Sequence, residues 1–127
     1  GAYELKGDEI GKVEALVVKD GHANRDWVGK NATLIAENAG IRVPQNTLIL
    51  FAEVPENHSF VQLELLMPVT GLVRVSNVDE AIACAVRCEH GNGHTASMWS
   101  KNIDNMHRMA CAINTSIFTN FSNIISK

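Results

Sequence analysis

Glu64 is the only charged residue in the run Ser59-Phe60-Val61-Gln62-Leu63-Glu64-Leu65-Leu66-Met67-Pro68-Val69. A carboxylate with such neighbours has two courses. Buried, it needs a donor from protein, water or ligand, because an unpaired charge is costly and shifts its pKa; otherwise it turns to solvent. By pattern alone, Val61, Leu63 and Leu65 face a core while Gln62 and Glu64 face water, the alternation of a half-buried strand. A second cluster is Cys84-x3-Cys88-x-His90-x3-His94, four soft ligands within eleven residues, a set that suggests zinc. Against zinc, both cysteines fall on a helix predicted to run to about Glu89, and the spacing is not that of a common finger or ribbon. The preferred reading assigns no metal: Gly91 and Gly93 make a sharp turn, and His94 fixes the next strand by hydrogen bonding. Cys84, Cys88 and Cys111 all fall on predicted helices where small, mostly buried residues are expected. No catalytic cysteine is therefore assigned. His22, His58 and His107 are expected at the surface, and Met98, Met106 and Met109 in the core.

These groups must be positioned by regular elements, and the periodicity supplies them. Leu5, Ile10, Val13, Leu16 and Val17 recur at helical spacing, which predicts a helix from Tyr3 to about Val18, with Gly21 ending the region. Asp20 to Gly29 is polar and turn-rich, and Trp27 is expected to anchor it on the core. Asn31 is placed to cap a helix through Asn38, with Gly40 in the left-handed position that follows. After Pro44, Thr47–Glu53 reads as a strand covered on both faces. Gly71–Val75 reads as another strand. Asn77 with Glu80 forms a capping-box start to a helix whose buried stripe is Val78, Ile82, Ala85 and Val86. His94–Trp99 is the next strand. Asn102 or Ser100 then caps a helix carrying Ile103, Met106, Ala110 and Ile113 inward, and Thr115–Thr119 is the last strand. Strand, helix, strand, helix, strand with short links implies crossover units and a mainly parallel sheet flanked by helices, an α/β layered domain. One domain over residues 1–127 suffices. Ligands of such sheets sit at the carboxyl ends of strands, which makes the loops at Ser76, Ser100 and Asn120 candidate edges.

Composition excludes several classes. Hydrophobic content of 46% beside 20% charged residues describes a folded chain rather than a disordered one. The net charge of -3, with Lys and Arg scattered, leaves no footprint for nucleic acid. No apolar run has the length of a membrane span, and there is no charged-then-apolar leader. An odd number of cysteines without such a leader points to reduced thiols in a cytoplasm.

The run around Glu64, together with Glu89-His90-Gly91-Asn92-Gly93-His94-Thr95-Ala96 and Ser100-Lys101-Asn102-Ile103-Asp104-Asn105, resembles the late catalytic-domain region of the aldehyde dehydrogenase superfamily. The branch it most resembles is the CoA-acylating acetaldehyde and propionaldehyde dehydrogenases of ethanolamine and propanediol utilisation, from about Tyr3 to Asn120. The resemblance implies a piece of an enzyme that converts aldehyde, CoA and NAD to acyl-CoA and NADH. In that family the nucleophilic cysteine lies N-terminal to the matched region, and no Gly-x-Gly-x-x-Gly follows a strand here. The isolated chain is accordingly expected to be inactive and to carry no bound NAD or CoA. By resemblance, Glu64 matches the carboxylate that accepts from the ribose hydroxyls beside the nicotinamide, and Leu66 stands where a phenylalanine often packs near that ring. The chain departs from the branch at Leu63, where a second acidic residue is usual, at Ser59, usually proline, at Gly93, usually arginine, and in the tail Phe121–Lys127.

The expected partners are the remaining domains of the parent enzyme. Self-association through the apolar Leu63, Leu65, Leu66 and Met67 run is a further expectation. Nucleic acid and membrane are not expected partners. The location implied is a cytoplasm, or a bacterial microcompartment within it. A non-catalytic α/β binding or interaction module derived from the same fold is the alternative.

Overall fold

Gly7, at φ 55°, separates the first strand, β1 (Ala2–Glu4), from the first helix, α1 (Asp8–Val17). The computed structural model describes residues 1–121 and divides into two compact units, Gly1–Arg74 and a second beginning at Val75. The helix expected from Tyr3 thus begins five residues later. Its first residues are claimed by a non-local pairing with Ile49, Leu50 and Phe51, which helical periodicity cannot register. Asp8 and Glu9 then occupy the first turn, where carboxylates favour the helix dipole. The helix stops at Val17 because the chain turns into a hairpin, β2 (Val18–Lys19) and β3 (His22–Ala23). Asp20 and Gly21, both at positive φ, form its two-residue turn.

A single 3-10 turn, Arg25–Trp27, follows, and Trp27 packs on the core as expected. Next comes α2 (Ala32–Asn38), which buries Ala32, Ile35 and Ala36. Gly40 ends it at φ 72°, while Asn31 holds the N-cap position without a side-chain bond. The central strand of the first unit is β4 (Ile49–Glu53). A helical turn, α3 (Ser59–Gln62), leads to β5 (Val69–Leu72). Sheet order is β1-β4-β5 with both pairings parallel, so Leu50 lies opposite Tyr3 on one side and Val69 on the other. Leu50 and Ala52 are fully buried with Leu5, Val13, Val17 and Ile35, whereas Ile49 and Phe51 are only partly covered.

The strand expected at Gly71–Val75 sits two residues earlier, because its register is set by Leu50–Glu53 and not by its own apolar pattern. That register puts Gly71 beneath α3. A Cβ there would stand 2.5 Å from Val61 Cγ2, 3.0 Å from Val54 Cγ2 and 3.2 Å from the Phe60 carbonyl carbon. Gly71→Ala is expected to destabilise the chain by about 1–3 kcal/mol through overpacking, measured by urea denaturation. An unchanged midpoint would mean that α3 does not press on β5.

The second unit contains α4 (Val78–Glu89), β6 (Thr95–Trp99), α5 (Ile103–Ala112) and β7 (Ile117–Phe121). Strands β6 and β7 pair in parallel, and Trp99 stacks on Phe121 with ring centroids 4.8 Å apart. Ile82, Met109 and Ile113 form its buried core. The fold is mixed α/β with mainly parallel strands, but those strands fall in two sheets. The single crossover series expected from β5 through α4 to β6 is not formed: β5 belongs to the sheet with β1 and β4, and β6 pairs with β7. The inward stripes also shift. Val86 is exposed, and on α5 Ile103 is 77% exposed and Ala110 exposed, while Met109 is buried. One residue of helical phase, about 100°, accounts for the exchange of Ala110 for Met109. Of the tail, Phe121 belongs to β7 and residues 122–127 lie outside the described residues.

The caps follow local rules. Asn77 Oδ1 accepts from the Glu80 amide at 2.9 Å, and Asn102 Oδ1 accepts from the amides of Asp104 and Asn105. Glu80 reaches back to the amide and hydroxyl of Ser76, at 3.1 and 2.8 Å, and these bonds hold its carboxyl below the usual range. Asn77→Ala is expected to cost about 1 kcal/mol, by urea denaturation. Because the folded pKa of Glu80 is depressed, its contribution is present above the ordinary glutamate pKa and is lost as pH falls through the folded value. A Glu80→Gln chain should accordingly lose less stability on acidification than the parent.

Candidate functional site

The segment that carries Glu64 is built from α3 outward. His58 accepts the Phe60 amide on Nδ1 at 3.2 Å, and its ring meets Phe60 edge-on at 4.7 Å. Ser59 Oγ donates to Glu14 Oε1 at 2.6 Å, and His58 Nε2 lies 3.7 Å from Glu14 Oε2. His58 is therefore half-buried and structural, not the surface residue expected, since the helix it caps is pinned to α1. Sequence offers no signal for this triad, since Glu14 lies 45 residues before Ser59.

Phe60, buried at 4% exposure, roots the turn in the core, and the helix ends where the Leu63 amide donates to Ser59 O. From Leu63 to Pro68 the backbone is irregular, so the strand expected over this run is not formed. Its polar groups are satisfied elsewhere: Leu66 O accepts from the Gly29 amide at 3.1 Å, and Pro68 O accepts from Leu50 N at 2.9 Å. The first bond comes from outside the sheet, and the second is the opening rung of the β4–β5 ladder. The alternation nonetheless survives, with Leu65 at 4% exposure between an exposed Glu64 and a Leu66 exposed at 61%. Leu66 also sits at φ 55°, the left-handed region that costs an ordinary residue about 1–2 kcal/mol. A cavity of about 610 Å³ opens beside it, lined by Leu66, Met67, Pro68, Lys30, Asn31 and Gln45 among others. The segment thus presents one carboxylate and one apolar side chain on either side of a buried anchor. A carboxylate so placed can accept from paired hydroxyls, and an exposed leucine can lie against a flat apolar ring.

The glycine turn at residues 90–93 is closed by the side chain of Glu89. His90, Gly91 and Gly93 all have positive φ, and the Glu89 carboxylate accepts from the amides of Gly91 and Gly93. Gly93 O accepts from the amide and hydroxyl of Ser116, and the His94 carbonyl accepts from the Ile117 amide, a backbone bond to β7 rather than the expected hold on the next strand, β6. Among the described residues, His90 and His94 do not join Cys84 and Cys88 in one ligand set. The cysteines all lie on helices. Cys84 is buried and Cys88 half-buried, but Cys111 is exposed beside His107, contrary to expectation, because the outward face of α5 carries it. Of the candidate loop residues, Ser76 is taken up by Glu80, and Asn120 lies within β7.

Residues 29–124 match the model of the aldehyde dehydrogenase family. The chain belongs to that family. It is 56% identical over 123 residues to the acetylating acetaldehyde dehydrogenase EutE of Salmonella typhimurium, covering 92% of this chain and 26% of that enzyme. Among solved structures, the propionaldehyde dehydrogenase of Rhodopseudomonas palustris with bound propionyl-CoA superposes with a TM-score of 0.91. It is 41% identical, over 94% of this chain and 27% of that one. An engineered glycolyl-CoA reductase with bound NADP+ gives the same TM-score and identity over 94% of this chain and 28% of its own. The chain spans about a quarter of the length of these aldehyde dehydrogenase relatives.

Proposed function

We propose that this chain is part of the catalytic domain of a CoA-acylating aldehyde dehydrogenase, in which Glu64 receives the ribose hydroxyls beside the nicotinamide and Leu66 packs against the ring. The observation that carries this reading is Leu66 itself, an apolar side chain exposed at 61% on left-handed backbone. Strain of that kind persists where the surroundings enforce it, and it collects at ligand sites. Buried Leu65 and the bond from Gly29 to Leu66 O supply the enforcement. The nicotinamide, when bound, would accept hydride from the substrate carbon. Glu64 would orient the ribose and Leu66 would limit the ring's tilt, while the nucleophilic cysteine would come from outside this chain.

The test is a chimaera in which the chain replaces the matching quarter of the Salmonella relative. CoA-dependent reduction of NAD or NADP by acetaldehyde is expected from the chimaera and none from the isolated chain. A folded, inactive chimaera would refute the reading, as would turnover by the chain alone.

A further inference from the structure

Cys84 and Cys88 stand one turn apart on α4, so their side chains share a face, and their sulfurs are 3.9 Å apart. Two thiolates bound to one tetrahedral zinc, each at about 2.3 Å, are separated by about 3.8 Å, the edge of that tetrahedron. The gap in α4 is thus already that of two ligand positions on a single ion. A disulfide, by contrast, needs sulfurs about 2.05 Å apart and Cβ atoms about 3.5–4.5 Å apart, which a straight helix does not bring together one turn apart. Chelation leaves the helix as it is, whereas oxidation must bend it. Cys84 is 8% exposed and Cys88 half-buried, so an ion reaches the pair from the side of Cys88. Glu89, the next carboxylate along, is occupied by the amides of Gly91 and Gly93. A pair of thiolates selects soft ions over calcium or magnesium, which prefer oxygen.

We propose that Cys84 and Cys88 chelate one thiophilic d10 ion such as zinc or cadmium, with α4 as the rigid spacer. Two sulfur–metal bonds form, each thiol releases its proton to solvent, and no electrons are exchanged. Affinity therefore rises with pH.

The probe is cadmium, titrated into the reduced chain while the thiolate-to-metal charge-transfer absorbance is followed. Saturation at one ion per chain is expected, with Cys111→Ser unchanged. Cys88→Ser should weaken binding about 100-fold or more, because the second sulfur then no longer arrives at high effective concentration. Cys84→Ser should do the same. Should that variant fail to give a folded circular dichroism spectrum, the half-buried Cys88 and an alkylation assay decide. In that assay, run on the folded chain, cadmium is expected to slow alkylation of Cys88 relative to the metal-free folded chain while Cys111 reacts as before. Equal affinity in Cys88→Ser, absorbance that requires Cys111, or no protection of Cys88 would each overturn the proposal.

Discussion

Leu50→Ala is expected to lower the stability of the chain by about 2–5 kcal/mol, measured as the shift in urea midpoint at constant slope. Leu50 has no exposed surface and occupies the middle strand, opposite Tyr3 and Val69. Its side chain belongs to one cluster with Leu5, Val13, Ile35 and Leu65, elements that meet nowhere else in sequence. Removing it opens a cavity that paired strands on both sides cannot collapse into. Domains of this size hold about 5–15 kcal/mol in all, so the loss is a large fraction of the total. Leu48→Ala is the matched control: two residues earlier and 76% exposed, it should stay within about 0.5 kcal/mol of the parent. Equal effects at the two positions would mean that the central strand is not where the parallel register places it.

The same contrast explains what could be read from the chain before it was folded. Elements announced by local chemistry came through: the helix begun by Asn77 and Glu80, the one begun by Asn102, the stop at Gly40, and the anchoring of Trp27. Each depends on groups within four residues or on one large side chain seeking cover. Elements that depend on distant partners did not. Ala2–Glu4 became a strand because Ile49–Phe51 lies 47 residues on, and β5 slid to Val69 for the same reason. Gly7 followed by Asp8 and Glu9 was the available sign of a later helix start. At the candidate site, the outward turn of Glu64 was legible from alternation, since Leu63 and Leu65 flank it. The irregular backbone was not, because Leu66 O is bonded by the amide of Gly29, 37 residues earlier, and the ladder with β4 begins only at Pro68. Nor was the left-handed Leu66, a conformation no leucine advertises.

Glu64→Gln, in the chimaera with the Salmonella relative, is expected to raise the KM for NAD about 10- to 100-fold and leave the KM for CoA within a factor of two or so. The magnitude follows from exchanging a carboxylate acceptor for a neutral amide: hydrogen bonds to charged groups contribute about 1.5–3 kcal/mol, and each 1.4 kcal/mol is about tenfold. The direction follows from geometry. Glu64 is exposed and belongs to no regular element, so the substitution removes no packing and should leave the urea midpoint within about 0.5 kcal/mol of the parent. That separation makes the result decisive, since a structural role would move stability and a ligand role moves KM. Leu66→Gly sharpens it further. Glycine adopts φ 55° without penalty, so the variant should be at least as stable as the parent, yet it removes the surface set against the ring. Loss of stability in Leu66→Gly with NAD kinetics unchanged would mean that the leucine packs on its own chain. Rising KM with stability retained would place the cofactor against Leu66, and the strain there would have its cause in function.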